Sequence, residues 1–108
     1  MKNNRVLLIG YVGEQPATLK MENGTKRVGI RMATHYRHKD DKGGEINHTV
    51  WHNVVAWDKT AEYAERSFVK GSKIMVDGCI DYRKFTGRNG IIIYRTHIRA
   101  QSLMNLDR

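Results

Sequence analysis

Two tryptophans are the side chains of this sequence best suited to bind a ligand. Trp51 and Trp57 lie in residues 50–57 (VWHNVVAW), a segment rich in β-branched and aromatic residues that is typical of a strand. Successive strand side chains point to opposite faces, so both indoles share one face. The other face carries smaller residues that suit the interior of a small barrel. The indoles are therefore predicted to point outward.

The charge of the chain decides between two interpretations of these rings. Large aromatic residues are more often buried for packing than exposed as a ligand platform, and the strand alone leaves the two alternatives about equal. The chain has 19 Lys and Arg against 11 Asp and Glu, a formal net charge of +8. Because bases stack on rings and phosphates meet cations, this combination indicates a surface for single-stranded nucleic acid.

Length and composition limit the remaining possibilities. The 108 residues are enough for one domain with one modest core, spanning 1–108. Neither a membrane-spanning apolar run nor a signal-peptide pattern is present, which predicts no membrane association and a cytoplasmic location. Cys79 is the single cysteine and the five histidines lack the paired spacing of a zinc site. A reducing compartment and no metal or other cofactor are expected.

The order of the predicted elements favours a small barrel. Strand patterns cover residues 5–12, 26–36, 50–57, 74–85 and 91–100, with Asn-Gly turns at 23–24 and 89–90. The segment 17–22 is less regular and could be a short strand, and four or five strands are expected in all. Within the segment 26–36, Arg31 faces outward, toward solvent or ligand. Residues 37–47 are polar and contain glycine, so they are predicted to be a mobile loop that connects two strands of a long hairpin, and residues 103–108 a tail.

One helix is predicted between the strands, over residues 59–69. Asp58 is expected to cap it and Gly71 to close it in the left-handed conformation. Ala61, Ala64 and Phe68 are spaced by three and four residues, a stripe that packs on one end of a barrel. The predicted fold class is thus all-β with one short helix, a five-stranded Greek-key barrel of the oligonucleotide-binding (OB) type.

Four motifs, in the right order and at the right spacing, resemble the bacterial single-stranded DNA-binding protein family. They are NRVLLIGYVG at 4–13, WHNVV at 51–55, KGS at 70–72 and YRKFT at 82–86, and the resemblance covers residues 4–106. It implies sequence-independent binding and protection of single-stranded DNA in replication, recombination and repair, without enzymatic activity. It also implies a homo-oligomer, usually a tetramer.

The resemblance assigns the site residues. Trp51 and Trp57 match base-stacking positions, Phe85 stands where the family usually has tryptophan, and Tyr36 or His38 falls at the remaining stacking position. Basic positions along the implied DNA path are matched by Arg5, Lys20, Lys59, Lys70, Arg83 and Lys84.

Two further positions and one short run are interpreted beside these. His52 matches a position near the subunit interface, and Asn53 replaces a usual arginine, which predicts a lost phosphate contact. At the base of the predicted loop, the run 36–39 (YRHK) combines rings and cations and is assigned to the ligand.

Two other classes of function are alternatives to the binding and protection of single-stranded DNA. A primosome-type accessory protein of replication restart has a similar size and also binds DNA, but the tryptophans and the YRKFT run count against it. A nuclease is disfavoured for want of a catalytic site. The acidic residues that lie close together in the sequence are Asp40, Asp41 and Glu45, and they belong to a polar loop.

The family's C-terminal segment, with an acidic and hydrophobic tip that recruits other enzymes, has no counterpart before the sequence stops at Asp107-Arg108. A short family member and a truncated chain are equally compatible with this. Recruitment of proteins through such a tail is not expected of these residues.

Overall fold

A closed β-barrel with one helix makes up the computed structural model, which describes residues 3–107. Its elements are β1 (Val6–Val12), β2 (Ala17–Lys20), β3 (Lys26–Lys39), β4 (Glu45–Trp57), α1 (Asp58–Ser67), β5 (Lys73–Thr86) and β6 (Ile92–Asn105). The strand order is β1-β5-β6-β4-β3-β2, and a further pairing of β1 with β3 closes the barrel. The predicted five-stranded barrel with one helix is confirmed, and β2 is a short additional strand on β3.

The core lies inside the barrel and under the helix. Val28, Ile30 and Met32 alternate along β3 and are buried, as are Val54 and Ala56 on β4. This is the inward face that the period of two predicts.

The helix closes one end of the barrel with its predicted apolar stripe. Ala61, Ala64 and Phe68 are 0–1% exposed. Phe68 meets the ring of Tyr63 edge to face at 5.6 Å, and the Tyr63 hydroxyl accepts the backbone N–H of Asn105 at 2.9 Å. The helix therefore fixes the end of β6 as well as covering the core.

The helix lies close to its predicted range, but the predicted capping is wrong at both ends. Asp58 is the first helical residue with φ +55°, and no side chain caps the helix start. At the other end, the N–H of Phe68 donates to the carbonyl of Ala64 and ends the helix. Gly71 does have a positive φ of +92°, but its N–H donates to Val12 in the turn that leads into β5. The glycine thus serves the barrel and not the helix.

The long hairpin predicted around residues 37–47 is confirmed, but the predicted extent of its loop is wrong, because the strands continue into this segment. Arg37 pairs with Asn47 and His38 with Ile46, and only residues 40–44 form the turn. There the Asp40 carboxylate accepts the N–H groups of Lys42 and Gly44. Both faces of the hairpin end are exposed, so its strands need no apolar alternation, and the polar composition gave a false signal.

The predicted tail at residues 103–108 is also wrong, because its first residues belong to a strand. β6 continues to Asn105, and Leu103 pairs with Val76 and packs on the core. The N–H of Leu106 donates to the carbonyl of Lys73 at 2.8 Å. Arg108 lies outside the described residues.

Candidate nucleic-acid interface

A groove of about 410 Å³ lies between the β3–β4 hairpin and the β5–β6 hairpin. Four arginines line it together with one aromatic ring: Arg27 and Arg31 on β3, Arg83 on β5, Arg95 on β6, and Phe85. We call this the arginine groove. Alternation along β3 brings Arg27 and Arg31 to one face, which confirms the predicted outward direction of Arg31.

The tryptophans lie along the same side of the barrel. Trp51 is 48% exposed and Trp57 is partly exposed, so the predicted outward direction of both is confirmed. The six-membered ring of Trp51 abuts Gly13, where a methyl group would collide with the indole. Glycine at this position is therefore a condition for the observed orientation of Trp51.

An arginine lies over each of the three rings that were predicted to stack bases. The guanidinium carbon of Arg31 is 5.0 Å from the ring centroid of Trp51, and that of Arg27 is 5.9 Å from Trp57. Phe85 has two such neighbours, Arg83 at 5.4 Å and Arg95 at 5.7 Å. These distances are within the range of cation–π attraction.

The groove is lined by four guanidinium groups and by one carboxylate, that of Glu14. Among residues 3–107, none of the four groove arginines forms an ion pair with a carboxylate. Partial burial lowers the pKa of Arg27, and the charge of Arg83 lowers it further. The guanidinium groups are thus close enough to repel one another, which makes the groove a favourable place for an anion.

Of the predicted basic residues, only Arg83 lies in this groove. Lys84 follows it directly and therefore points to the opposite face of β5. Arg5 lies elsewhere and donates two hydrogen bonds to Asp77, at 3.0 and 3.2 Å; this contact raises the pKa of Arg5 and lowers that of Asp77. The three other predicted cations, Lys20, Lys59 and Lys70, are exposed but do not line the groove.

The β3–β4 hairpin carries a second aromatic array. The rings of Tyr36 and His48 are stacked at 4.7 Å with an angle of 10°, and His38 stacks on His48 at 4.7 Å and 16°. Arg37 and Lys39 alternate with these rings and lie on the other face, where Arg37 pairs with Glu45 at 3.6 Å. The predicted run of rings and cations is thus divided between two faces.

His48 was missed by the sequence analysis. The strand register places it directly opposite Tyr36, a signal that the loop interpretation of this segment concealed.

His52 faces into the barrel. It is partly buried, its Nε2 atom is 2.9 Å from the hydroxyl oxygen of Thr34, and burial lowers its pKa. Its place at a subunit interface stays a prediction.

The position next to it, Asn53, is paired across the strands with Arg31. A cation therefore stands directly opposite the residue at which the loss of a phosphate contact was predicted.

Arg27 and Arg95 were also missed as site residues. Arg27 could have been found because it alternates with Arg31 on the predicted outer face of β3. Arg95 becomes significant only through its pairing with Arg83 across the β5–β6 hairpin, which no local pattern reveals.

In residues 3–107, no three His, Cys, Asp or Glu side chains come together in a way that could hold a metal ion. No helix in the described part of the chain is long and apolar enough to cross a membrane.

The sequence matches known proteins over nearly its whole length. The model of the single-strand binding protein family matches residues 3–106. A single-stranded DNA-binding protein of Xanthomonas campestris is 35% identical over 103 residues, covering 95% of this chain and 60% of that protein. One from Neisseria meningitidis is 35% identical over 91 residues, covering 84% and 52% respectively. The chain thus spans between half and two thirds of the length of these relatives.

Solved structures are similar as well. A Plasmodium falciparum SSB in complex with ssDNA superposes with a TM-score of 0.87 at 26% identity, covering 96% of this chain and 95% of that one. A small single-stranded DNA-binding protein from Streptomyces coelicolor gives a TM-score of 0.72 at 25% identity, with 95% and 94% coverage.

Proposed function

Since the chain belongs to the single-strand binding protein family, we propose that it binds and protects single-stranded DNA without sequence preference. The observation that supports this proposal most strongly is the arginine groove. Its four guanidinium groups form no ion pair with a carboxylate in residues 3–107, and they lie beside the rings that are predicted to stack bases. The work of such a protein lies in replication, recombination and repair, in the bacterial cytoplasm.

In the proposed mechanism the strand's phosphates enter the arginine groove while its bases stack on neighbouring rings. Trp51, Trp57 and Phe85 supply these rings. Every base has a π-face, so stacking on a ring tolerates any sequence. Phosphates are the same at every position, so their contacts with arginine are also independent of sequence. Together the two contacts explain affinity without any hydrogen bond to the edge of a base.

The stacked array of Tyr36, His48 and His38 lies on the opposite face of the β3–β4 hairpin from Trp51 and Arg31, where it forms a second proposed surface. Tyr36 is 53% exposed at one end of the array. The array is held by its own stacking and by the strand register, so it presents its rings without the disorder of a loop. We propose that the array stacks additional bases of a long DNA strand.

The assembly that we propose is a homotetramer. Support comes from the outer face of β1, where Leu7, Ile9 and Tyr11 are 56%, 54% and 45% exposed. A contiguous apolar strip on a small basic barrel is suited to burial against another subunit. Sedimentation at micromolar concentration should give the mass of four chains, and a monomer alone would contradict the assembly.

We also propose that the protein binds DNA without cleaving it. Asp40 belongs to the group of neighbouring acidic residues considered above for a nuclease, and its carboxylate accepts two backbone N–H groups of its own turn. Its position is explained by the turn, with no need for a catalytic role.

The proposed function is tested by titrating the protein with oligothymidylate, with and without magnesium. Binding is followed through tryptophan fluorescence. Stacking on Trp51 and Trp57 should quench the emission to saturation, and the strand should remain intact on a denaturing gel. A fluorescence signal that does not change, together with unaltered mobility of a labelled strand, would contradict the function. Cleavage of the strand would contradict the absence of catalysis.

A further inference from the structure

The three rings proposed to stack bases share a second property, since each is in contact with at least one groove arginine. Phe85 is the clearest case, because two arginines lie within 6 Å of its centroid, at 5.4 and 5.7 Å. On Trp51 the distance to Arg31 is 5.0 Å. The repetition of one contact at three rings indicates a common role.

The two arginines in contact with Phe85 repel each other, so an attractive interaction is required to keep both beside the ring. Arg83 and Arg95 are directly paired across β5 and β6, and like charges in that arrangement repel each other. In residues 3–107 neither forms an ion pair with a carboxylate. The electron-rich face of Phe85 is the attractive surface that the structure offers to both.

We propose that these rings position the arginines for phosphate binding, in addition to stacking bases. The inference rests on the proposed function and concerns how the same site works. Ring and guanidinium then form one unit, in which Phe85 is a positioning residue for Arg83 and Arg95.

The physical reason is that a free arginine side chain has many rotamers and loses them when it binds a phosphate. A ring that already restricts the guanidinium reduces this loss before DNA arrives. The guanidinium is planar, so its N–H donors lie at its edge and remain available when one of its faces lies on a ring. Loss of the ring should therefore weaken phosphate contacts even where there is no base to stack.

A strand without bases separates the two roles of the ring. The probe is a labelled abasic deoxyribose-phosphate strand, and its binding is followed by fluorescence anisotropy at low salt. Phe85→Leu removes the ring and keeps apolar bulk, whereas Phe85→Tyr keeps a ring. We expect Phe85→Leu to bind the abasic strand about two- to fivefold more weakly than wild type, and Phe85→Tyr to bind it as wild type does.

Tyr94→Leu is the matched control, because Tyr94 is an exposed ring on the opposite face of the same hairpin. It should leave the affinity for the abasic strand unchanged. The pair Trp51→Leu and Trp51→Tyr repeats the test at Arg31, so the inference does not depend on the folding of one variant.

The inference is overturned if both leucine variants at Phe85 and Trp51 bind the abasic strand as wild type does while binding oligothymidylate more weakly. The rings would then only stack bases, and the proposed function would stand. Failure of the wild-type protein to bind oligothymidylate would instead contradict the proposed function itself.

Discussion

The two faces of the β5–β6 hairpin have similar residues but different surroundings. One face carries Arg83 and Phe85, and the other carries Tyr82, Lys84 and Tyr94. Each face thus carries at least one aromatic and one basic side chain, and all five side chains are exposed. Composition and exposure alone therefore do not distinguish the two surfaces.

The neighbours across the groove make the difference. The Arg83 face meets β3, which adds Arg27 and Arg31 and so concentrates four positive charges. On the opposite face Tyr82 and Tyr94 pack edge to face at 5.5 Å, and the charge is that of one lysine. Tertiary contact, more than the strand's own sequence, thus distinguishes the face that we propose as the site for a polyanion.

The largest effect is expected from removing both charges of the groove face on this hairpin. Arg83→Gln with Arg95→Gln should reduce the steepness of log K against log salt by about 1.4, since each neutralised phosphate of a single strand contributes about 0.7. Oligothymidylate titrations at several salt concentrations measure this slope. Lys84→Gln, on the other face, should keep the wild-type slope, and equal changes in the two proteins would erase the distinction between the faces.

A smaller effect is expected from the rings of the two faces. Base stacking contributes about 1–3 kcal/mol per base, a range established for this very class of proteins, and Phe85→Ala should lose affinity for oligothymidylate within it. Tyr94→Ala should not. Phe85 is 41% exposed, so thermal melting should change little. A large drop in melting temperature would mean that Phe85 supports the fold.

The smallest effect concerns His97, which is paired with Asp81 beside the groove. Burial lowers the pKa of its imidazole, Asp81 raises it, and the nearby arginines lower it. A phosphate in the groove favours the charged imidazole and should raise the pKa. Binding then takes up protons, so this contribution is present at low pH and is lost as pH rises through the pKa of the bound state.

NMR titration of the imidazole with and without oligothymidylate measures that change. The pKa of His52, which burial also lowers, provides the internal reference because His52 bonds to Thr34 inside the barrel. Equal pKa shifts of both histidines would mean that the phosphates do not bind specifically in the groove near His97.

The sequence was informative where one face of an element is buried. The period of two on β4 predicted the outward indoles, and the stripe of Ala61, Ala64 and Phe68 predicted the end of the barrel that the helix covers. In these elements the core selects apolar residues at fixed spacing, so a pattern exists to be found.

Sequence patterns failed where no core constrains the residues. Both faces of the β3–β4 hairpin end are exposed, so strands that contain Arg37 and Asn47 have the composition of a loop. The groove was only partly predicted for a different reason. Arg95 acquires its role from residues distant in the sequence, and local motifs do not report such contacts.

Chemical-shift mapping with oligothymidylate tests the central claim most directly, namely that the arginine groove is the DNA path. The account predicts the largest changes at the side-chain N–H groups of Arg27, Arg31, Arg83 and Arg95 and at the indole N–H groups of Trp51 and Trp57. The largest changes at Tyr82, Lys84 and Tyr94, with the groove resonances unmoved, would contradict it.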